Sequence, residues 1–262
     1  MALYTCKRVS FTLGYPIEYH VFLPDPDMSA SFEGIKKLEK PFPVMYLLHG
    51  AFDEASCWIR NACVERHAQE NGLALVMASA LNSFYTDMAH GRPYASFITQ
   101  ELPMMVKSVF PISDKPEETY IAGLSMGGYG ALKLALSCPG KYAAAASMSG
   151  AVIIESLLKM KSPYVSVEDL FGDKSDSIIG SSHDLRALLK ESAEAGTTPR
   201  IYQCCGQEDM LYADNLVFRD YAKSLPGLDI TWEEGPGGHE WAFWDTYIRK
   251  IMRWAVKGQE RE

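Results

Sequence analysis

The sequence predicts an α/β fold: a mostly parallel sheet of about eight strands with helices on both faces. Three observations carry that expectation. From Val44 onward, short apolar runs alternate with longer amphipathic stretches, the rhythm of successive βαβ units. Most of these runs are near-continuously apolar, as parallel strands are when helices cover both of their faces. The pentapeptide Gly123-Leu124-Ser125-Met126-Gly127 also falls at a strand-to-helix junction, the setting in which a G-x-S-x-G turn has chemical meaning.

Two strands are expected to open the chain, near Tyr4–Ser10 and Ile17–Leu23, joined by a turn at Gly14-Tyr15-Pro16. The proline-punctuated stretch Pro24–Pro41 reads as a surface loop. Further strands are expected at Val44–Leu48, Leu73–Ala78, Thr119–Ala122, Ala143–Met148, Ile201–Cys205 and Ile230–Glu233. Helices are expected around Ser56–Glu70, Ser96–Val109, Gly127–Ser137 and Tyr212–Ser224. Pro103 lies inside the second of these, where its missing N–H kinks the helix or starts a new one. A last helix, about Glu240–Val256, places Trp241, Trp244, Ile248, Ile251 and Ala255 on one apolar face. Residues 151–199 break the rhythm with helix-like and loop-like pieces and no strand. They read as a small cap inserted over the carboxyl ends of the strands, where open α/β sheets place ligands. No repeat or linker divides the 262 residues, so residues 1–262 are expected to form a single domain.

Composition excludes several classes. A formal charge of −8 at pH 7 gives no electrostatic reason to bind nucleic acid or an anionic membrane. Small uncharged molecules suit it better as partners. No secretory apolar region opens the chain, and no run reaches the roughly 18 apolar residues of a membrane span; cytoplasmic residence is the default expectation. The six cysteines (Cys6, Cys57, Cys63, Cys138, Cys204, Cys205) show neither a CxxC pair nor zinc spacing. They are expected to be free, buried thiols, with no metal and no cofactor. A homodimer is compatible with the sequence, but no residue pattern requires one.

The G-x-S-x-G turn holds a serine on a tight bend that only glycines two residues to either side can accommodate. Its position at a helix N-terminus sets Ser125 beside free backbone N–H groups. A serine hydroxyl needs a histidine to take its proton, and the histidine needs a carboxylate to fix its tautomer. In this arrangement the chain order is serine, acid, histidine. Only His183 and His239 follow Ser125. His183 lies in the insertion and reads as a surface residue or helix-start neighbour. His239 follows Gly235-Pro236-Gly237-Gly238 between the last strand and the last helix, on a loop able to reach Ser125. The acid should follow Ile201–Cys205, where Asp209 and Glu208 compete and Asp214 is more distant. The oxyanion hole should use the backbone N–H of Met126 and one from the loop after Leu48, either Ala51 or Phe52; His49 beside it reads as structural. Aromatics near the site in sequence are Phe52, Trp58, Phe84, Tyr85, Tyr129 and Trp241, of which Trp58, Tyr129 and Trp241 are the pocket candidates. Asn82 and Ser83, after the fourth strand, also approach the cleft.

Four stretches, LLHGAFDEASCW (Leu47–Trp58), AGLSMGGYGALKLAL (Ala122–Leu136), CGQEDMLY (Cys205–Tyr212) and GGHEWAFW (Gly237–Trp244), resemble the esterase D-like family of α/β-hydrolases. That family includes tributyrin, feruloyl and acetyl-xylan esterases, S-formylglutathione hydrolases and, more distantly, mycolyltransferases. The likeness is greatest to the small tributyrin- and feruloyl-type esterases; the loop after the third strand departs from the usual S-formylglutathione hydrolase pattern. The resemblance implies an α/β-hydrolase fold and a serine carboxylic-ester hydrolase. It also implies Ser125 as nucleophile, Asp209 rather than Glu208 as acid, and His239 as base. The expected substrates are short-chain acyl, acetyl or hydroxycinnamoyl esters. The alternatives are a thioesterase or acyltransferase with the same residues and, in another class, an inactive interaction module on this scaffold.

Overall fold

The computed structural model describes residues 2–25, 41–172 and 177–258. The expected Pro24–Pro41 loop therefore falls almost wholly outside the described residues. Eight strands form one sheet: β1 (Ala2–Ser10), β2 (Tyr15–Leu23), β3 (Val44–Leu48), β4 (Ala74–Ala78), β5 (Thr119–Leu124), β6 (Ala144–Met148), β7 (Arg200–Gly206) and β8 (Ile230–Gly235). Their spatial order is β1-β2-β4-β3-β5-β6-β7-β8. β2 pairs antiparallel with β1 and β4, and every other pairing is parallel. The carboxyl ends of β3, β5, β6 and β7 consequently emerge side by side on one edge.

The opening turn differs from expectation. It occupies residues 11–14, closed by the Gly14 N–H donating to the Ser10 carbonyl at 2.9 Å, while Tyr15 and Pro16 already belong to β2. The Glu101 carboxylate sets that position by accepting from the Ser10 hydroxyl (2.5 Å) and from the Phe11 and Thr12 N–H groups (2.7 and 3.0 Å). Pro16 is tolerated because pairing of β2 with β4 begins only at Tyr19, so its absent N–H breaks no ladder on that side.

The continuous apolar runs are explained by burial on both faces. Alternate residues of one strand enter opposite cores: Val44, Tyr46 and Leu48 face one, Met45 and Leu47 the other. The second core is closed by α1 (Cys57–Asn61), α2 (Val64–Glu70) and, from the far end of the chain, Trp244, Ile248 and Ile251. The first is closed by Tyr94, Phe97, Leu102 and Val106, by Leu132 and Leu136, and by Leu188 and Leu189.

Two predicted helices are broken by contacts distant in sequence. The Ser56–Glu70 segment divides at Ala62, which is extended, and the next N–H, of Cys63, donates to the Asp245 carboxylate at 2.7 Å. The Ser96–Val109 segment comprises α3 (Tyr94–Ser96), a π-helical turn (Phe97–Glu101) and α4 (Leu102–Lys107). Pro103 has no N–H to offer the Thr99 carbonyl one turn back, and the Lys141 ammonium donates to it instead. Beyond them come α5 (Met126–Ser137), α6 (Ile154–Leu158), α7 (Val167–Phe171), α8 (Leu185–Glu194), α9 (Tyr212–Ser224) and α10 (Trp241–Lys257). The insertion thus contributes α6, α7 and α8 and no strand among the described residues. Among those residues no helix is long and apolar enough to cross a membrane.

The cysteines are all unpaired, but only Cys57, Cys204 and Cys205 are buried; Cys6 and Cys138 are half-buried and Cys63 is exposed. These last three depart from the expected burial because Cys6 lies on β1, an edge strand with mostly exposed residues, while Cys63 and Cys138 cap the ends of α2 and α5.

The role of α10 in closing the second core is testable. Ile251 is fully buried there, so Ile251→Ala should lower the urea-derived unfolding free energy by about 2–5 kcal/mol. Arg249→Ala, on the exposed side of the same helix, should change it by less than about 0.5 kcal/mol.

Candidate active site

Ser125 sits between β5 and α5 with φ 54° and ψ −118°, a conformation that L-residues rarely adopt. The crowding around it explains both glycines. A Cβ on Gly123 would lie 2.2 Å from the Gly127 carbonyl oxygen, and one on Gly127 would lie 2.5 Å from that of Leu48. The strained bend is held by its backbone: the Ser125 N–H donates to Met148 of β6 at 2.9 Å. Its carbonyl accepts from Gly128, Tyr129 and Ala151 at 3.0, 3.2 and 3.2 Å.

His239 is brought to this bend by the loop after β8. Gly206 and Gly237 meet so closely that a Cβ on Gly206 would lie 2.0 Å from the Gly237 oxygen. The Glu208 carboxylate accepts from the Gly237 N–H at 2.6 Å, so Glu208 braces the loop while its neighbour Asp209 meets the imidazole. Nδ1 of His239 lies 2.9 and 3.1 Å from the two Asp209 oxygens, and Nε2 lies 2.9 Å from Ser125 Oγ. An ionised carboxylate only accepts; Nδ1 therefore carries the proton, and Nε2 is left to accept from the serine hydroxyl. The Asp209 side chain is closed off from solvent. Burial pushes its carboxyl up, but donors from His239, the Leu211 N–H and Ser149 outweigh burial and hold it below the ordinary carboxylate range.

On the other side of Ser125, the loop after β3 is fixed by His49. Its Nδ1–H donates to the Gly50 carbonyl at 2.7 Å and its Nε2 accepts from the Ala80 N–H at 2.8 Å. This pairing requires the neutral ring, and burial lowers its pKa accordingly. The Tyr85 hydroxyl donates to the His49 carbonyl at 3.0 Å. The Phe52 N–H is already taken by Asn82 Oδ1 at 2.8 Å. No hydrogen bond among the described residues engages the Ala51 or Met126 N–H. The two candidates for the second donor are thus unequal: Ala51 is free and Phe52 is occupied.

The aromatic candidates separate in the same way. Trp58 and Tyr129 have no exposed surface; they pack in the core and do not form a pocket wall. The Trp58 indole donates to the Leu48 carbonyl at 3.2 Å and the Tyr129 hydroxyl to the His183 carbonyl at 2.8 Å. Phe84 and Tyr85 are buried as well. Trp241 is half-buried between Trp58 and Trp244, and Phe52 is exposed, its ring edge-on to that of Tyr164 in the insertion. His183 stands just before Asp184, the N-cap of α8, and packs on Phe171. Burial and Lys133 push its pKa down to about 4. Among the described residues no cluster of His, Cys, Asp and Glu could hold a metal ion.

Sequence reasoning assigned nothing to Ser149 or to the Trp244 N–H. Ser149 lies just past the carboxyl end of β6 at φ 49°, and the signal available was its place at a strand end facing the ligand edge.

A serine on a strained strand–helix turn, bonded through an imidazole to a buried carboxylate, defines the class as a serine hydrolase on the α/β-hydrolase fold. The chain belongs to the esterase family, whose model, described as "Putative esterase", matches residues 10–255; it is a carboxylesterase. It is 35% identical over 222 residues to an acetyl esterase of Caldicellulosiruptor saccharolyticus, covering 81% of this chain and 83% of that protein. Among solved structures it is similar to the fluorophosphonate-binding serine hydrolase FphF of Staphylococcus aureus, with 34% identity and a TM-score of 0.89 over 97% of this chain and 98% of the other. It is also similar to the S-formylglutathione hydrolase FrmB of the same organism, with 33% identity and a TM-score of 0.84 over the same shares.

The depressed Asp209 carboxyl has a measurable consequence. A carboxyl held low in the folded state adds stability above its ordinary value, and that stability is lost as pH falls through the folded value. The difference in unfolding free energy between the wild type and Asp209→Asn should therefore be present at neutral pH and shrink once pH drops below about 4. Urea titrations across that range check it.

Proposed function

We propose that Ser125, His239 and Asp209 carry out two-step acyl transfer on short-chain carboxylic esters, acetyl esters foremost. The observation that supports this most is the unbroken path from Ser125 Oγ to His239 Nε2 at 2.9 Å and from Nδ1 to Asp209 at 2.9 Å. Ser125 Oγ attacks the ester carbonyl as Nε2 takes its proton. The negative charge that develops on the carbonyl oxygen is met by the N–H groups of Met126 and Ala51, each such donor being worth about 3–4 kcal/mol. The tetrahedral species collapses, His239 returns the proton to the leaving alcohol, and water repeats the sequence on the acyl-enzyme. Asp209 stays ionised throughout and holds the imidazole in place.

The short-acyl preference draws on the likeness to the acetyl esterase and on the rim of the site. Phe52, next to Ala51, is 68% exposed, and Tyr164, against it, is 74% exposed. Leu81, beside Asn82, is also exposed, so the rim offers apolar side chains to a small acyl group. In this reading residues 151–199 form a cap that reaches the oxyanion loop through Tyr164, and Trp241 is the pocket residue kept from the aromatic set. Six unpaired cysteines fit a reducing compartment, so cytoplasmic residence belongs to the proposal. A second reading, thioester hydrolysis by the same residues, is favoured by the 33% identity to S-formylglutathione hydrolase.

Turnover of p-nitrophenyl esters from acetate to palmitate, beside S-formylglutathione, tests both readings. Highest kcat/KM on acetate or butyrate is expected, with kcat falling by about 10⁴-fold in Ser125→Ala, His239→Ala and Asp209→Asn. A fluorophosphonate should label the wild type on Ser125. Preference for the longest chain overturns the substrate class, and S-formylglutathione as the best substrate puts the second reading first.

A further inference from the structure

The proposal that follows rests on Ser125, His239 and Asp209 being the reacting groups. Two residues outside that set touch its acid and its base together. Ser149 is fully buried, and its hydroxyl lies beside the Asp209 carboxylate and helps to hold that carboxyl below its ordinary range. The Trp244 indole Nε1–H donates to Ser149 Oγ at 3.1 Å. The Trp244 ring stands edge-on to the His239 ring, with centroids 5.0 Å apart and planes at 90°.

We propose that Ser149 and Trp244 act as one positioning unit, in which the indole N–H orients the Ser149 hydroxyl proton onto Asp209 while the same indole ring fixes the plane of His239. The direction of the first bond settles that of the second. An indole N–H can only donate, so Ser149 Oγ must accept from it. The single serine proton is then free for the carboxylate, the strongest acceptor within reach. Cys205 also lies against the Ser149 hydroxyl, but burial and the Asp209 charge push its thiol up to about 12. It stays protonated and does not compete for that proton.

The backbone around Ser149 points the same way. Its φ of 49° lies in the region that favours glycine, so serine is retained there at a conformational cost. Its N–H donates to the Cys204 carbonyl at 2.8 Å, anchoring it between the ends of β6 and β7. Trp244 is set by α10 and wedged against Trp241, which meets Trp58 in turn. The unit thereby ties the imidazole and the carboxylate, which arrive on two separate loops, to the interior of the second core.

The test uses Ser149→Gly, Trp244→Phe and the double variant. Ser149→Gly removes the hydroxyl but suits the backbone, so the strain it relieves offsets part of the lost hydrogen bonding and the variant should remain folded, which circular dichroism checks. Trp244→Phe keeps a ring against His239 and loses only the N–H. On p-nitrophenyl acetate, kcat should fall about tenfold or more in Ser149→Gly, with KM moving less than about twofold. The acid limb of kcat/KM should move to higher pH, because a carboxylate short of one donor holds a proton on the imidazole–carboxylate pair more tightly. Trp244→Phe should shift both quantities the same way by less, and the double variant should match Ser149→Gly alone. Wild-type kcat and an unmoved acid limb in Ser149→Gly, or effects that multiply in the double variant, overturn the proposal. Asp209→Asn, measured alongside, separates the two possible failures. Retained turnover in it overturns the role of Asp209 and this proposal with it. Lost turnover beside an unaltered Ser149→Gly overturns the positioning unit alone.

Discussion

Ser125 occupies a backbone conformation that costs of order 1–3 kcal/mol, and much of the architecture serves to hold it there. The bend exists only because β5 must stop and α5 must start within one residue, at a point where the β3 carbonyls pass within contact of Gly127. The cost is offset by hydrogen bonds to β6 and the segment that follows it: Met148 of β6 receives the serine N–H, and Ala151 donates to its carbonyl. A strained serine therefore requires a correctly registered sheet, and the parallel pairings of β3, β5 and β6 supply it.

The sheet also decides what can reach that serine. Four strand ends lie on one edge and place the parts of the proposed site: the neutral His49 brace and the Ala51 N–H after β3, Ser125 after β5, Ser149 after β6 and Asp209 after β7. His239 alone comes from beyond the last strand. Its loop is pinned by Glu208 and by the close approach of Gly206 to Gly237. Because the imidazole spans two loops, its geometry is only as firm as the packing behind it, and Trp244 couples it to the core on the α1–α2 side.

The elements closest to this machinery were legible because they depend on local chemistry. Near-continuous apolar runs located most of the strands from β3 onward, and glycine spacing located the elbow. His239 followed from chain order and its flanking glycines. Asp209 was separable from Glu208 only through the resemblance: both stand on the same loop, and their roles diverge through contacts with His239 and Gly237 some 30 residues away. Long-range contacts also account for what was missed. Asp245 breaks the first helix by bonding Cys63 across 182 positions, and Lys141 satisfies the carbonyl that Pro103 leaves open. Trp58 and Tyr129 were near the site in sequence yet face the core, because a residue's side of the sheet is set by its neighbours in space. Asn82 was placed near the cleft, but its partner, the Phe52 N–H, is a backbone group that no side-chain pattern announces.

The central claim is that Ser125 becomes covalently acylated. Rapid-quench mass spectrometry of the enzyme mixed with excess p-nitrophenyl acetate tests it most directly. The account predicts a transient mass gain of one acetyl group, mapped to the peptide carrying Ser125 and absent from Ser125→Ala. Full turnover with no adduct on Ser125, or an adduct on another residue that forms and decays at the turnover rate, would contradict it.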